Sequence, residues 1–210
     1  SIQLRGNISH NIRIPQLFEL YGDRGFFIGN DELEPETALN IDTGVSYTTN
    51  NATLSTAIFY RALDDAIVNN FSSQGVGQAE NIAEATVVGV EFDVSYQLTT
   101  SWAVSLKSTV QDSDNISEDK NYNGNELAGL YSLSSFIDTS LILNSMTYTL
   151  EYRHQSGGYY DASNDAAIPD QNIVNVSTKW QNADRSIEVR VDNLGDKHVE
   201  DFHRYPMPGR

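Results

Sequence analysis

Between Val88 and Leu98 the chain alternates without a break: Val88, Val90, Phe92, Val94, Tyr96 and Leu98 share one phase, and Gly89, Glu91, Asp93, Ser95 and Gln97 share the other. Successive side chains of a strand point to opposite faces, so the segment predicts a strand with one apolar and one wet face. After a short polar break the pattern resumes, with Trp102, Val104, Leu106 and Val110 against Ala103, Ser105, Lys107, Thr109 and Gln111. Looser copies follow at Leu39/Ile41/Val45/Tyr47, Leu54/Ile58/Tyr60, Leu133/Ile137/Leu141/Leu143, Met146/Leu150/Tyr152, Val174/Val176/Trp180 and Ile187/Val189/Val191. With the opening run from Ile2 to about Ile12, the pattern predicts about nine strands. The two clearest runs reach the ~9 to 11 residues that a tilted strand needs to cross the hydrocarbon of a membrane.

The breaks between these runs are of two kinds. Short polar turns fall at Thr48 to Asn51, Thr99 to Ser101, Asn144 to Ser145 and Gln181 to Arg185, and long polar loops lie near 13 to 35, 62 to 85, 111 to 127 and 154 to 171. Short turns on one side and long loops on the other are the layout of an antiparallel transmembrane β-barrel. Tyr47, Tyr96, Trp102, Tyr148 and Trp180 share the apolar phase and sit beside the short turns. Amphipathic rings favour a membrane interface, so these residues predict an aromatic girdle. A soluble β-sandwich also alternates, and the girdle and loop asymmetry are what favour the barrel over it.

Composition narrows the function classes. A hydrophobic content of 39% over 210 residues suits a soluble domain, and equally a barrel in which every second strand residue faces a polar lumen. No apolar run is long enough for a spanning helix. The absence of cysteine removes disulfides, thiol catalysis and Cys-based zinc sites. A net charge of −16 argues against nucleic acid as a partner, which needs a basic footprint. No G-x-S-x-G elbow, Walker loop or H-E-x-x-H occurs, and Asp64 and Asp65 would point to opposite faces of a strand, so an enzyme is not expected. Ser1 opens directly into strand-like sequence without the features of a signal peptide, and about nine strands leave two open edges that need partners in lipid. The expectation is a portion of a larger protein.

Five motifs, in order along the chain, suggest a family. Ile12-Arg13-Ile14-Pro15, Phe18-Glu19-Leu20-Tyr21-Gly22 and Gly29-Asn30-Asp31-Glu32-Leu33-Glu34-Pro35-Glu36 resemble the R-x-P, E-L-Y, G-N-P-x-L-x-P-E segment of TonB-dependent outer-membrane receptors. Phe59-Tyr60-Arg61 with Asp64, Asp65 and Ile67 resembles that family's F-Y-x-x-x-x-D-x-I strand end, and Gly89-Val90-Glu91 its G-V-E strand. Val191-Asp192-Asn193-Leu194-Gly195-Asp196-Lys197 resembles V-x-N-L-F-D-K, and Tyr205-Pro206-Met207-Pro208-Gly209-Arg210 the Y-x-x-P-G-R turn before the last strand. Asp31 and Gly195 depart from the usual proline and phenylalanine, and Ala128 to Ser132 replaces a common proline at the start of a strand. The residue types are those of turns and strand borders, which predicts structural roles.

The resemblance implies a barrel of about 22 strands filled by an N-terminal plug. Such receptors take up a scarce solute, an iron chelate such as a siderophore complex or a vitamin, across the Gram-negative outer membrane, with energy delivered by the TonB complex through a short N-terminal box. On this reading residues 1–210 are the C-terminal portion of the barrel, without plug, box or last strand, and the partners are the solute, TonB through the missing N-terminal region, and outer-membrane lipid. No cofactor is implied. A soluble all-β ligand- or carbohydrate-binding domain is the alternative from a different class, and a passive porin is a third reading.

Lumen-facing candidates for ligand or plug contact are Glu91, Asp93, Lys107, Glu151, Arg153, Lys179, Glu188 and Arg190, all in the inward phase, where mutual pairing competes with ligand binding. For metal, Asp119, Asn121, Asn123 and Gly124 match the opening of an EF-hand loop, but Leu130 stands where the bidentate glutamate belongs, so an acidic Asn-Gly turn is the plainer account. His10, His154, His198 and His203 are scattered, with none between Pro15 and Asn30, and do not read as ligands.

Overall fold

The computed structural model describes residues 1–23, 25–72, 74–116, 120–202, 205–206 and 209. A single antiparallel path runs through β1 (Ile2–Arg13), β3 (Glu36–Thr48), β4 (Ala52–Phe71), β5 (Gly77–Thr99), β6 (Trp102–Asn115), β7 (Leu133–Leu143), β8 (Met146–Ser156), β9 (Gln171–Gln181) and β10 (Ser186–Val191). A two-residue strand β2 (Phe27–Ile28) adds in parallel to β5, completing a ten-stranded sheet. Helix α1 (Leu17–Tyr21) lies in the loop between β1 and β3, and β11 (Glu200–Phe202) pairs with β12 (Tyr205–Pro206) beyond the sheet.

Register puts the apolar phase of every strand on one face. Ile8 opposes Ile41, which opposes Tyr60, then Val88. Farther along, Val94 opposes Leu106, then Ile137, Tyr152 and Val174. A slip of one residue at any pair would turn a whole strand over, so the shared phase fixes the register. All five girdle aromatics lie in this phase at the short-turn end, and Trp102 anchors its ring by donating Nε1–H to Thr139 Oγ1 at 2.7 Å.

Among the described residues no second layer covers that face. Leu4 is 83% exposed and Val189 65%, and among the described residues no large side chain is fully buried. A water-soluble protein does not leave a whole sheet face of Leu, Ile, Val and Phe uncovered. The buried clusters lie in the rim at the long-loop end. Phe27, Leu33 and Ala79 pack with Leu20, Ile67 and Phe71, and Ala66 and Ala85 pack with Leu63, Val68 and Leu127.

Two loop expectations are corrected. The loop expected near 62 to 85 is mostly strand: β4 and β5 stay paired from Asp64↔Glu84 to Phe71↔Gly77. Past the membrane both faces of a hairpin meet water or loops, so alternation is not required and the sequence signal fades. Asp65, at φ 54°, leaves the extended conformation within this stretch, so Asp64 and Asp65 are not simple neighbours on a flat strand. The loop near 13 to 35 carries α1 and β2.

The family-like motifs explain how that loop folds. Glu19, 5% exposed, accepts from Arg13 Nη2 at 2.6 Å and from the Gln16 N–H at 2.7 Å, which closes the start of α1. Gly22 ends the helix at φ 71°. A Cβ on Gly29 would lie 2.5 Å from the Leu20 carbonyl oxygen, so the two segments cross only because that residue is glycine. Asn30 then ties the loop to β5 by donating Nδ2–H to the Ala79 carbonyl at 3.0 Å.

Candidate functional site

The polar face of the sheet carries the candidate residues. Glu91 opposes Thr109, Asp93 opposes Lys107, Glu151 opposes Asn175, Arg153 opposes Ile173, and Lys179 opposes Glu188. All therefore share one face, as their phase predicts. They do not form one cluster. Lys107 Nζ and Asp93 Oδ2 are 3.6 Å apart with both side chains solvated, a weak pair.

Arg190, Glu151 and Asn175 form the tightest group. Arg190 reaches over β9 to Glu151 with Nη1 at 3.0 Å and Nη2 at 2.6 Å, while its Nε donates to Asp192 at 2.7 Å. Asn175 Nδ2 adds a donor to Glu151 at 3.2 Å. This fork geometry neutralises Glu151 within the wall. Beside it a hollow of about 490 Å³ is lined by Phe136, Asp138, Glu151, Arg153, Ile173 and Asn175. Arg153 Nε is enclosed there without a hydrogen-bond partner. A second hollow of about 530 Å³ lies against Arg5, Asp42, Arg61, Glu91 and Gln111.

Side chains that the sequence reading passed over share this face. Phe59 and Phe136 are aromatic on the polar side, and Asp138 accepts from Ser105 Oγ. Position parity was the signal that could have found them, since Phe136 and Asp138 flank the outward Ile137. The Phe59 ring lies against Gly89, where a Cβ would meet it at 2.5 Å, which gives the G-V-E motif its glycine. Asn193 has a structural role too: at φ 50° its side chain brackets both backbone groups of Lys197, and its own N–H donates to Asn175 Oδ1 at 2.9 Å.

In the rim, two carboxylates serve as turn centres. The N–H groups of Phe27 and Gly25 hold the Asp23 carboxyl below the usual carboxylate range. Burial pushes Asp161 up, but donors from Ser163 Oγ, Ala166 N–H and Asp165 N–H outweigh it and leave its pKa lowered. Asp119 lies outside the described residues, as do His203 and three residues of the Y-x-x-P-G-R turn, and among the described residues no three His, Asp or Glu side chains are grouped to hold a metal.

The family model for the TonB dependent receptor-like β-barrel matches residues 1–194. The chain belongs to the TonB-dependent receptor family. It is 25% identical over 177 residues to the pesticin receptor of Yersinia enterocolitica, covering 80% of this chain and 25% of that protein. It is 28% identical over 239 aligned residues to the iron-regulated outer membrane virulence protein of Vibrio cholerae, covering 96% and 36% respectively. The siderophore receptor PiuA from Acinetobacter baumannii superposes with a TM-score of 0.75 at 19% identity, covering 99% of this chain and 32% of that one. The chain thus spans about a quarter to a third of the relatives it matches. Family membership makes this an outer-membrane β-barrel receptor segment and not an enzyme, and it replaces the soluble β-sandwich reading. The apolar face is the lipid-facing wall, and the polar face lines the lumen.

Proposed function

We propose that residues 1–210 form the C-terminal portion of the barrel of an energy-coupled importer, one that takes up an iron chelate of the siderophore type. The observation that carries the reading is the family match across nearly the whole chain, joined to a single sheet with one lipid-compatible face and one polar face. Two similar proteins, one named as iron-regulated and one as a siderophore receptor, favour an iron chelate over a vitamin. The C-terminal placement rests on the resemblance of Val191 to Lys197 and Tyr205 to Arg210 to the motifs that flank the end of such barrels. The lumen charges Glu91, Lys107, Arg153 and Lys179 are the wall's contribution to solute or plug contact.

The test is uptake by cells carrying or lacking the full-length gene, with radioactive iron presented on hydroxamate, catecholate, mixed and citrate chelators. Loss of uptake for one chelator class in the deletion strain, and equal loss when TonB is removed, is the expected result. Unchanged uptake for every iron chelate would overturn the choice of iron. Uptake that persists without TonB would overturn energy coupling and favour a passive pore.

A further inference from the structure

The loops joining β6 to β7 and β8 to β9 fold against each other. The Glu126 N–H donates to Asn164 Oδ1 at 2.7 Å, and Asn164 Nδ2 donates back to the Glu126 carbonyl at 3.0 Å. Asn125 Nδ2 reaches the Ala162 carbonyl at 2.9 Å, and the Gly129 N–H reaches the Tyr159 carbonyl at 2.8 Å. Asn164 itself stands at φ 58°, held by the Asp161 turn. Each loop therefore supplies partners for backbone groups of the other.

Tyr131 fixes this pair to the lumen side of the wall. Its carbonyl accepts from Gln111 Nε2 at 2.9 Å, and its hydroxyl accepts from Gln171 Nε2 at 2.7 Å. Gln111 belongs to β6 and Gln171 to β9, so the tyrosine spans the tops of β7 and β8. Leu130 beside it lines the same hollow as Arg61 and Glu91.

We propose that residues 120–132 and 157–170 are one cooperative unit of the rim, clasped by Asn164 and latched to the lumen wall by Tyr131, so that the two loops open together. Opening either loop alone strands hydrogen-bonding groups of the other, which makes joint opening the cheaper fluctuation. The coupling stands apart from the identity of the solute.

Hydrogen exchange read by mass spectrometry on the full-length receptor in detergent, without solute, tests it. Tyr131→Phe removes one oxygen and keeps the ring. Asn164→Gly removes the clasp while tolerating the positive φ. In Tyr131→Phe both loops exchange faster by a common factor of roughly 2- to 12-fold, the range set by one hydrogen bond, while β7 and β8 do not change. In Asn164→Gly the two loops exchange with different factors. Acceleration of one loop only in Tyr131→Phe, no change in either loop, or acceleration spreading into β7 and β8 would overturn the unit. A common factor retained in Asn164→Gly would overturn the clasp.

Discussion

Val90→Arg places a charge on the outward face between Ile58 and Val110, its register neighbours. Its depth follows from the strand. Val90 lies six residues from Tyr96 of the girdle, a rise of about 20 Å along the strand at ~3.3 Å per residue, or about 15 Å along the membrane normal for a tilt of ~40°. The apolar band of such barrels is ~25 Å tall, so Val90 sits close to its middle, where arginine costs about 2–4 kcal/mol. Tyr96→Arg, at the girdle, costs at most about 1 kcal/mol, because the side chain reaches the interface. Thr109→Lys adds charge on the opposite face across from Glu91 and costs less than about 1 kcal/mol. Denaturant unfolding of the full-length receptor from lipid vesicles, with the midpoint and slope read separately, gives all three values. Equal costs at Val90 and Tyr96, or a Thr109→Lys cost as large as that of Val90→Arg, would refute the assignment of the two faces.

Three further outcomes follow from the wall and rim. Gly89→Val drives a side chain into the Phe59 ring and to 2.8 Å from the Val110 carbonyl oxygen, so it destabilises by about 1–3 kcal/mol in the same unfolding assay, and Phe59→Leu recovers only part of the loss because the carbonyl contact remains. A double-mutant cycle on Glu151→Gln and Arg190→Gln gives a coupling of about 0.2–1 kcal/mol, since both side chains are more than a third exposed or nearly so and the pair is screened. The Asp161 carboxyl has a folded pKa depressed below its ordinary 3.8, so its contribution to loop stability is complete above that value and is lost as pH falls through the depressed one. Cleavage between residues 157 and 170 by an acid-active protease therefore rises at the low-pH end in the native receptor, and Asp161→Asn removes that pH dependence.

The wall was legible in the sequence because lipid constrains it at every second residue. Val88 to Leu98 shows its phase without help, and the partners of that strand inherit their registers from it. The rim was not legible for the same physical reason. Residues 62–71 and 77–85 pair as strands in a region where neither face meets hydrocarbon, and their polar residues read as loop. Asn164, Glu126 and Tyr131 work through contacts 38 and 40 residues apart, which no local pattern reports. The lumen candidates were found by parity alone, and parity could not tell that Arg190 would reach past β9 to Glu151 while Lys107 remained loosely paired.

The same contrast separates what the family motifs fix from what they leave open. Arg13 with Glu19, Gly22 against Gly29, Gly89 under Phe59 and Asn193 around Lys197 each solve a packing or turn problem that any solute's receptor would share. They identify the barrel and carry no information about its cargo. The outward face is equally silent, because lipid accepts Leu, Ile, Val and Phe in nearly any order. Discrimination between solutes must then reside where the chain is free to vary without losing the barrel: on the polar face, with its enclosed Arg153 Nε, and in the rim. If residues 120–132 and 157–170 move as one body, substitutions in either loop change the same opening equilibrium. Selection for a solute then acts on the pair, and a loop transplanted alone into a relative would lose its clasp and its shape together.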